Sequence, residues 1–173
     1  MRKNLKVLLV LKILKIKIFS SLTCPHCADF HTQVIPKLKK EYVEPGKVQL
    51  IFIDFPLDQA AFNASKLLHC LEKKKQMKFL DTIYETQNKW TSGSNISEIN
   101  NNLKKIVKNL GINSLKFDKC LIDEAISDKI LSGRIEADKK YSISATPTII
   151  INEKKLEGSA SFKNIKKKIE KLI

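Results

Sequence analysis

Arginine is scarce in this 173-residue chain, which has 2 arginines and 30 lysines and a net charge of +14. A protein that reads nucleic acid is expected to use the planar arginine side chain to bind bases and phosphates. The lysines are also scattered along the chain, as they are on a solvated surface. We therefore expect no nucleic-acid partner.

Long apolar runs are also missing, and no stretch is long enough to cross a bilayer. A basic start followed by the apolar residues 7–11 resembles a secretory signal, but three lysines within residues 12–17 interrupt the apolar run. No small-residue cleavage site precedes Cys24. We therefore interpret residues 13–19 as a strand of the fold rather than as the end of a cleaved signal.

Cysteine is infrequent, with Cys24, Cys27, Cys70 and Cys120 the only four in the chain. Four cysteines permit two disulfides in three pairings, but the chain is too long and its cysteines too few for a small disulfide-stapled scaffold. The length suits one domain, or one domain with an insertion. The spacing of Cys24 and Cys27 forms a Cys-x-x-Cys motif.

The first third of the chain predicts a strand, a helix and a second strand. Residues 13–19 alternate in part, and residues 48–53 are nearly all apolar, which favours a central position in a sheet. Between them we predict a helix with Thr23 as its N-cap. That helix runs to about Tyr42, and Pro36 inside it predicts a kink.

The rest of the chain predicts a helical block followed by a hairpin and a last helix. Residues 58 to about 140 show helical periodicity, broken by a predicted loop at 90–95. Strand patterns return at 148–151 and start again at 155–157, and an amphipathic helix begins at Phe162. This order predicts a parallel β-α-β crossover, an insertion of about 80 residues, and a β-hairpin with a helix.

The motif Cys24-Pro25-His26-Cys27 follows a strand and opens a helix, which suits thiol redox chemistry. Residues three apart lie on one helix face, so the two sulfurs can form a bond. Free N–H groups and the positive end of the helix dipole stabilise a thiolate at Cys24 and lower its pKa. Cys24 is then the predicted nucleophile and Cys27 the resolving thiol. His26 can donate to that thiolate, and Pro25 stiffens the loop.

Two other uses of the motif stay open. A Cys-x-x-Cys pair is also half of a zinc site, but zinc needs two more ligands, and the chain has no second such motif. A purely structural disulfide would close only a four-residue loop, which restricts the unfolded chain little. We expect no metal here.

The second candidate element is Thr146-Pro147, directly before the strand predicted at 148–151. Alone, this pair indicates only a turn. Facing a redox helix, a proline at the start of a strand could hold a cis peptide and leave the neighbouring backbone free to pair with an extended substrate.

Taken together, these features resemble the DsbA-like thioredoxin-fold proteins of bacteria, and more particularly the alphaproteobacterial DsbA and Com1-like group. The resemblance covers about residues 16–173 and implies an α/β, thioredoxin-like fold with an inserted all-helical subdomain. The thioredoxin-like domain would comprise 1–57 and 142–173, and the insertion 58–141.

The resemblance also implies roles for individual residues. Cys24 is similar to the nucleophile, Cys27 to the resolving cysteine, and His26 to the residue that depresses the thiol pKa. Thr146 and Pro147 match the cis-proline loop that contacts substrate. Relatives often carry an acid roughly where Ile18 stands, so a proton-transfer role at that position is not expected.

Paired cysteines like Cys70 and Cys120 look like a second, structural disulfide in this group. The alternative is two buried free thiols, because cysteine is often a core residue.

The implied function is a thiol–disulfide oxidoreductase, DsbA-like, that introduces disulfides into exported proteins. Its expected partners are reduced substrate proteins and a membrane redox protein that reoxidises it, with no cofactor. We expect a monomer in the periplasm. The alternatives are an isomerase or reductase of the same fold, a non-catalytic zinc- or peptide-binding module, and a cytoplasmic protein.

Overall fold

A computed structural model describes residues 13–173. The basic and apolar start of the chain, which resembles a secretory signal, therefore lies outside the described residues. Four strands form one sheet in the order β2-β1-β3-β4, and their bounds are β1 Leu14–Ser20, β2 Val48–Asp54, β3 Thr148–Ile151 and β4 Lys154–Lys155. The β1–β2 pair is parallel and the other two pairs are antiparallel, so the predicted crossover and hairpin are both present.

The predicted central position of β2 is wrong, because β2 lies at an edge of the sheet formed by residues 13–173 and β1 occupies the interior. The apolar run of β2 has another cause. Leu50 and Phe52 pack with the core on one face of the sheet, whereas Ile53 packs with the core on the other. A continuous apolar run reports burial on both faces, and an edge strand covered on both faces shows the same pattern.

The helix after β1 is irregular. It comprises α1 (Pro25–Asp29), a π-helical segment (Phe30–Val34), α2 (Ile35–Leu38) and a second π-helical segment (Lys39–Val43). The first π segment directly precedes the turn that contains Pro36, where the missing N–H and the ring disfavour regular α-helical bonding. The helix changes type on both sides of the turn that contains Pro36, and a kink at Pro36 stays a prediction.

The predicted N-cap at Thr23 is wrong by one residue. Cys24 is the N-cap, Pro25 is the first helical residue, and the Thr23 hydroxyl instead donates to Asp58 Oδ2 at 2.6 Å. Proline is favourable at the first helical position because its missing N–H has no intrahelical partner there. The cap shift places the first cysteine, rather than the threonine, at the exposed helix start.

Six helices lie between β2 and β3, and their bounds are α3 Gln59–Cys70, α4 Lys73–Glu85, α5 Gln87–Trp90, α6 Ile96–Lys108, α7 Ser114–Leu121 and α8 Glu124–Tyr141. Asp58, Asn95, Asn113 and Asp123 cap four of these helices through their side chains. Trp90 was predicted to begin a loop, but it ends α5 and is buried, with Nε1 donating to the Ile83 carbonyl at 2.8 Å.

The last helix, α9 (Phe162–Glu170), packs Ile165 and Ile169 onto the sheet. A second core fills the helical block, and it includes Leu22 and Cys27 from the loop and helix that follow β1. The segment that carries the Cys-x-x-Cys motif therefore bridges the sheet and the helical block. No helix within the described residues is long and apolar enough to cross a membrane.

Candidate functional site

The two cysteines of the motif lie at the carboxyl end of β1 but in different environments. Cys24 is half-buried, whereas Cys27 is only 1% exposed and packs in the core of the helical block. The backbone N–H of Cys27 donates to the Cys24 carbonyl at 3.1 Å, which forms the first turn of α1. One sulfur is thus reachable from solvent and the other is enclosed.

Thr146 and Pro147 lie directly against this cysteine pair. The Thr146–Pro147 peptide bond is cis, and Cys24 Sγ donates to the Thr146 carbonyl oxygen at 3.4 Å. Thr146 is buried. The two elements singled out in the sequence, separated by about 120 residues, therefore meet at one place.

Burial dominates the acid–base behaviour of Cys27. Loss of solvation raises its pKa from a usual 9.0 to about 12, and the negative charge of Cys24 acts in the same direction. The Thr146 side chain and the Ser21 backbone oppose this shift but do not cancel it. Cys27 therefore stays protonated near neutral pH.

The two residues between the cysteines are both exposed. The His26 side chain makes no hydrogen bond among the described residues, so the predicted donation to the Cys24 sulfur is not seen, and that sulfur bonds to Thr146 instead. Pro25 forms part of the rim of a surface groove beside the site.

Gln87 also belongs to the site, although nothing in the sequence points to it. It is buried, and its Nε2 donates to the carbonyls of Leu22 at 2.9 Å and Cys24 at 3.1 Å. It thereby ties α5 of the helical block to the loop that carries the nucleophile. A single glutamine in a helical stretch gives no sequence signal of this role.

The helix that follows the motif packs against α4 through aromatic rings. The His31 ring lies 4.7 Å from the Tyr84 ring, and His31 Nε2 lies 2.7 Å from Asp81 Oδ1. Burial lowers the pKa of His31 despite that carboxylate, and burial also raises the pKa of Tyr84. The His31 and Tyr84 rings are therefore uncharged near neutral pH.

The remaining two cysteines are joined. Cys70 at the end of α3 and Cys120 in α7 form a disulfide with their Cα atoms 6.2 Å apart. The bond lies inside the helical block.

A zinc site at the motif would need ligands beyond Cys24 and Cys27. Across residues 13–173, no group of three or more His, Cys, Asp or Glu side chains is arranged to hold a metal ion.

Comparison with known proteins gives a consistent result. A family model described as "Thioredoxin" matches residues 14–171. A "Putative protein-disulfide oxidoreductase" of Rickettsia bellii is 29% identical over 163 residues, which are 94% of this chain and 61% of that protein. The chain thus spans about three fifths of that relative's length. A "Probable disulfide bond formation protein D" of Bacillus anthracis is also 29% identical over 163 residues, and the match covers 91% of this chain and 72% of that protein.

Among solved structures, alpha-DsbA1 of Wolbachia pipientis is 31% identical and superimposes with a TM-score of 0.83, covering 92% of this chain and 85% of that one. The predicted thioredoxin-like fold with a helical insertion is confirmed. The chain belongs to the thioredoxin family and, within it, to the DsbA-like thioredoxin-fold oxidoreductases.

Proposed function

We propose that the protein is a thiol:disulfide oxidoreductase that introduces disulfides into exported proteins through Cys24 and Cys27. One observation carries this proposal. The half-buried Cys24 lies at a helix start and contacts the Thr146 carbonyl through its sulfur, whereas Cys27 is buried. An extended substrate that pairs with the backbone near Pro147 would hold its own sulfur next to Cys24.

The reaction would proceed through two exchanges. A substrate thiolate attacks Cys24 Sγ of the Cys24–Cys27 disulfide, and Cys27 leaves and takes up a proton. A second substrate thiolate then attacks the substrate sulfur of the mixed disulfide, and Cys24 leaves as a thiolate. Two electrons pass from the substrate dithiol to the cysteine pair, which ends reduced.

The burial of Cys27 affects how long the mixed disulfide lasts. A thiol with a pKa of about 12 holds little thiolate near neutral pH, and only the thiolate attacks a disulfide efficiently. Cys27 is therefore slow to attack the mixed disulfide and return the substrate to its reduced form. The intermediate lives longer, and the second substrate thiol has time to complete the transfer.

The proposal also includes the partners, the location and the oligomeric state of the enzyme. Its partners would be reduced substrate proteins and a membrane protein that reoxidises Cys24 and Cys27, because each turnover leaves the pair reduced. The names of the Bacillus and Rickettsia relatives, a disulfide bond formation protein and a protein-disulfide oxidoreductase, support this role. A periplasmic location belongs to the proposal, since disulfides persist in oxidising compartments. A monomeric state is part of the same proposal.

Oxidation of a reduced dithiol peptide tests the proposal. The oxidised wild-type protein should convert the peptide to its disulfide, as followed by mass spectrometry, whereas Cys24→Ser should not. Cys27→Ser is the matched control: it keeps Cys24 and should accumulate a mixed disulfide with an oxidised peptide. Peptide oxidation by Cys24→Ser at the wild-type rate would overturn the assignment.

The reduction potential of the pair decides the direction of the reaction. A value near about −120 mV would agree with an oxidant, and a value near about −270 mV would indicate a thioredoxin-like reductant instead. Equilibration with glutathione buffers, quantified by trapping the free thiols, gives this potential.

A further inference from the structure

A surface groove of about 580 Å³ opens beside Pro25, between the active-site loop and the helical block. This volume is in the range of pockets that bind small ligands or side chains. Its walls come from the active-site loop, the start of α3, and the stretch from α5 to the start of α6. Uncharged or acidic polar side chains dominate the lining, among them Thr23, Asp58, Gln59, Asn88, Thr91 and Asn95.

Positive charge is missing from the groove. The chain has 30 lysines, yet neither lysine nor arginine lines this groove. The four longest stretches without either residue are 18–36, 48–65, 90–103 and 141–153. The first three contribute groove residues, and the fourth contains Thr146, which contacts Cys24. The cation-free segments of a strongly basic chain therefore meet around the nucleophile.

Two carboxylates give this region its charge. Asp58 lies in the groove wall and is exposed, and its Oδ2 accepts the hydroxyl of Thr23, the residue directly before Cys24. Glu98 accepts the N–H of Ser94, a groove residue, at 2.8 Å. The formal side-chain charge at the groove is therefore negative, although the whole protein carries a charge of +14.

We propose that this groove binds the polypeptide segment next to the reacting cysteine of a substrate and that Asp58 favours segments with a lysine or arginine there. This inference rests on the proposed function. Ile96 and Ile99 in the groove supply apolar contact for the alkyl part of a long basic side chain, whose charged end can remain near the carboxylate.

The sign of the substrate preference separates this proposal from the effect of net charge. A protein with a charge of +14 should attract acidic peptides at long range. A locally negative groove should favour basic peptides at contact. The net charge therefore predicts that the acidic peptide reacts faster, and the groove predicts that the basic peptide reacts faster.

Two single-cysteine peptides test the proposal, identical except for Lys or Glu two positions from the cysteine. The measured quantity is the rate of mixed-disulfide formation at Cys24 of the oxidised protein, followed by acid quenching and mass spectrometry. Each rate is divided by that peptide's rate with oxidised glutathione, because a neighbouring charge also changes the reactivity of the peptide thiol.

At low salt the Lys peptide should react about two- to fivefold faster, the size expected for a partly exposed charge pair, and added salt should reduce the ratio. Asp58→Asn keeps a good helix cap and should bring the ratio to one or below. Asp118→Asn, which removes an exposed carboxylate on α7 outside the groove, is the charge-matched control and should keep the wild-type ratio.

A wild-type ratio of one or less, or a ratio that Asp58→Asn leaves unchanged, would overturn the inference while the enzyme still exchanged thiols. If Asp58→Asn failed to fold, the wild-type ratio and its salt dependence would still show whether the groove favours the basic peptide. Absence of any mixed disulfide at Cys24 with either peptide would count against the proposed function itself.

Discussion

Cys24 Sγ lies 3.4 Å from the carbonyl oxygen of Thr146, a residue 122 positions further along the chain. This contact joins the loop after β1 to the loop before β3. Cys27 is only 1% exposed behind it. The two cysteines are three residues apart, but their chemistry should differ strongly.

Iodoacetamide should alkylate Cys24 well before Cys27 in the reduced, folded protein. Burial raises the pKa of Cys27 from 9.0 to about 12, so its thiolate fraction near neutral pH falls roughly a thousandfold, and enclosure slows it further. Timed quenching and peptide mapping by mass spectrometry measure the two rates. Denatured protein is the control, in which the rates should converge, and equal labelling in the folded protein would contradict the prediction.

Replacing Gln87 with alanine should destabilise the protein by about 1–3 kcal/mol, because the change leaves the buried Leu22 and Cys24 carbonyls without their donor. Urea unfolding followed by circular dichroism measures the loss. The same variant should also oxidise peptides more slowly, since the loop that holds the nucleophile loses its tie to α5.

Lys89→Ala, an exposed change in the same helix, is the control for Gln87 and should change the free energy of unfolding by less than about 0.5 kcal/mol. A Gln87→Ala variant as stable and as active as that control would show that the two hydrogen bonds do not hold the loop.

The parts of the site that could be predicted from the sequence are those marked by a pattern of neighbouring residues. A Cys-x-x-Cys motif after a strand and before a helix predicts a redox pair, and the strand predicted at 148–151 has the same bounds in the structure. The placement of Thr146 beside Cys24 depended on a resemblance to known proteins, because no local pattern relates residues so far apart.

The parts that could not be predicted depend on tertiary packing. Gln87 acts through two carbonyls of a distant loop, and nothing in its own neighbourhood marks that contact. The edge position of β2 could not be predicted from its apolar run, because β2 packs against a core on each face of the sheet. The N-cap was misassigned because Thr23, a good capping residue by type, bonds to Asp58 instead.

Removing the disulfide in the helical block should lower the free energy of unfolding by about 4 kcal/mol, the chain-entropy value for cysteines separated by 50 residues. The comparison is best made in a Cys24→Ser/Cys27→Ser background, so that only one disulfide can change. There, Cys70→Ala/Cys120→Ala should lower the urea midpoint, and reductant should lower the midpoint of the parent but not of this variant. Equal midpoints with and without the bond would contradict the prediction.

Acid should destabilise the protein partly through His31. Burial lowers the pKa of this histidine in the folded state, against the opposing effect of Asp81. The unfolded chain therefore binds the proton more readily, and the free energy of unfolding should fall as the pH drops through the unfolded value of about 6.5. His31→Gln keeps a donor near Asp81 but does not titrate, so its stability should fall less than that of the wild type between about pH 7 and pH 5.

Asp81→Asn is the matched variant for this test and should act in the opposite direction. It removes the carboxylate that favours the protonated imidazole, while Lys39, which disfavours it, remains. The pKa of His31 should then fall further, and stability should decline more steeply with acid than in the wild type. Urea unfolding at several pH values measures all three slopes. Parallel slopes for the wild type and His31→Gln would mean that the acid sensitivity arises at other groups.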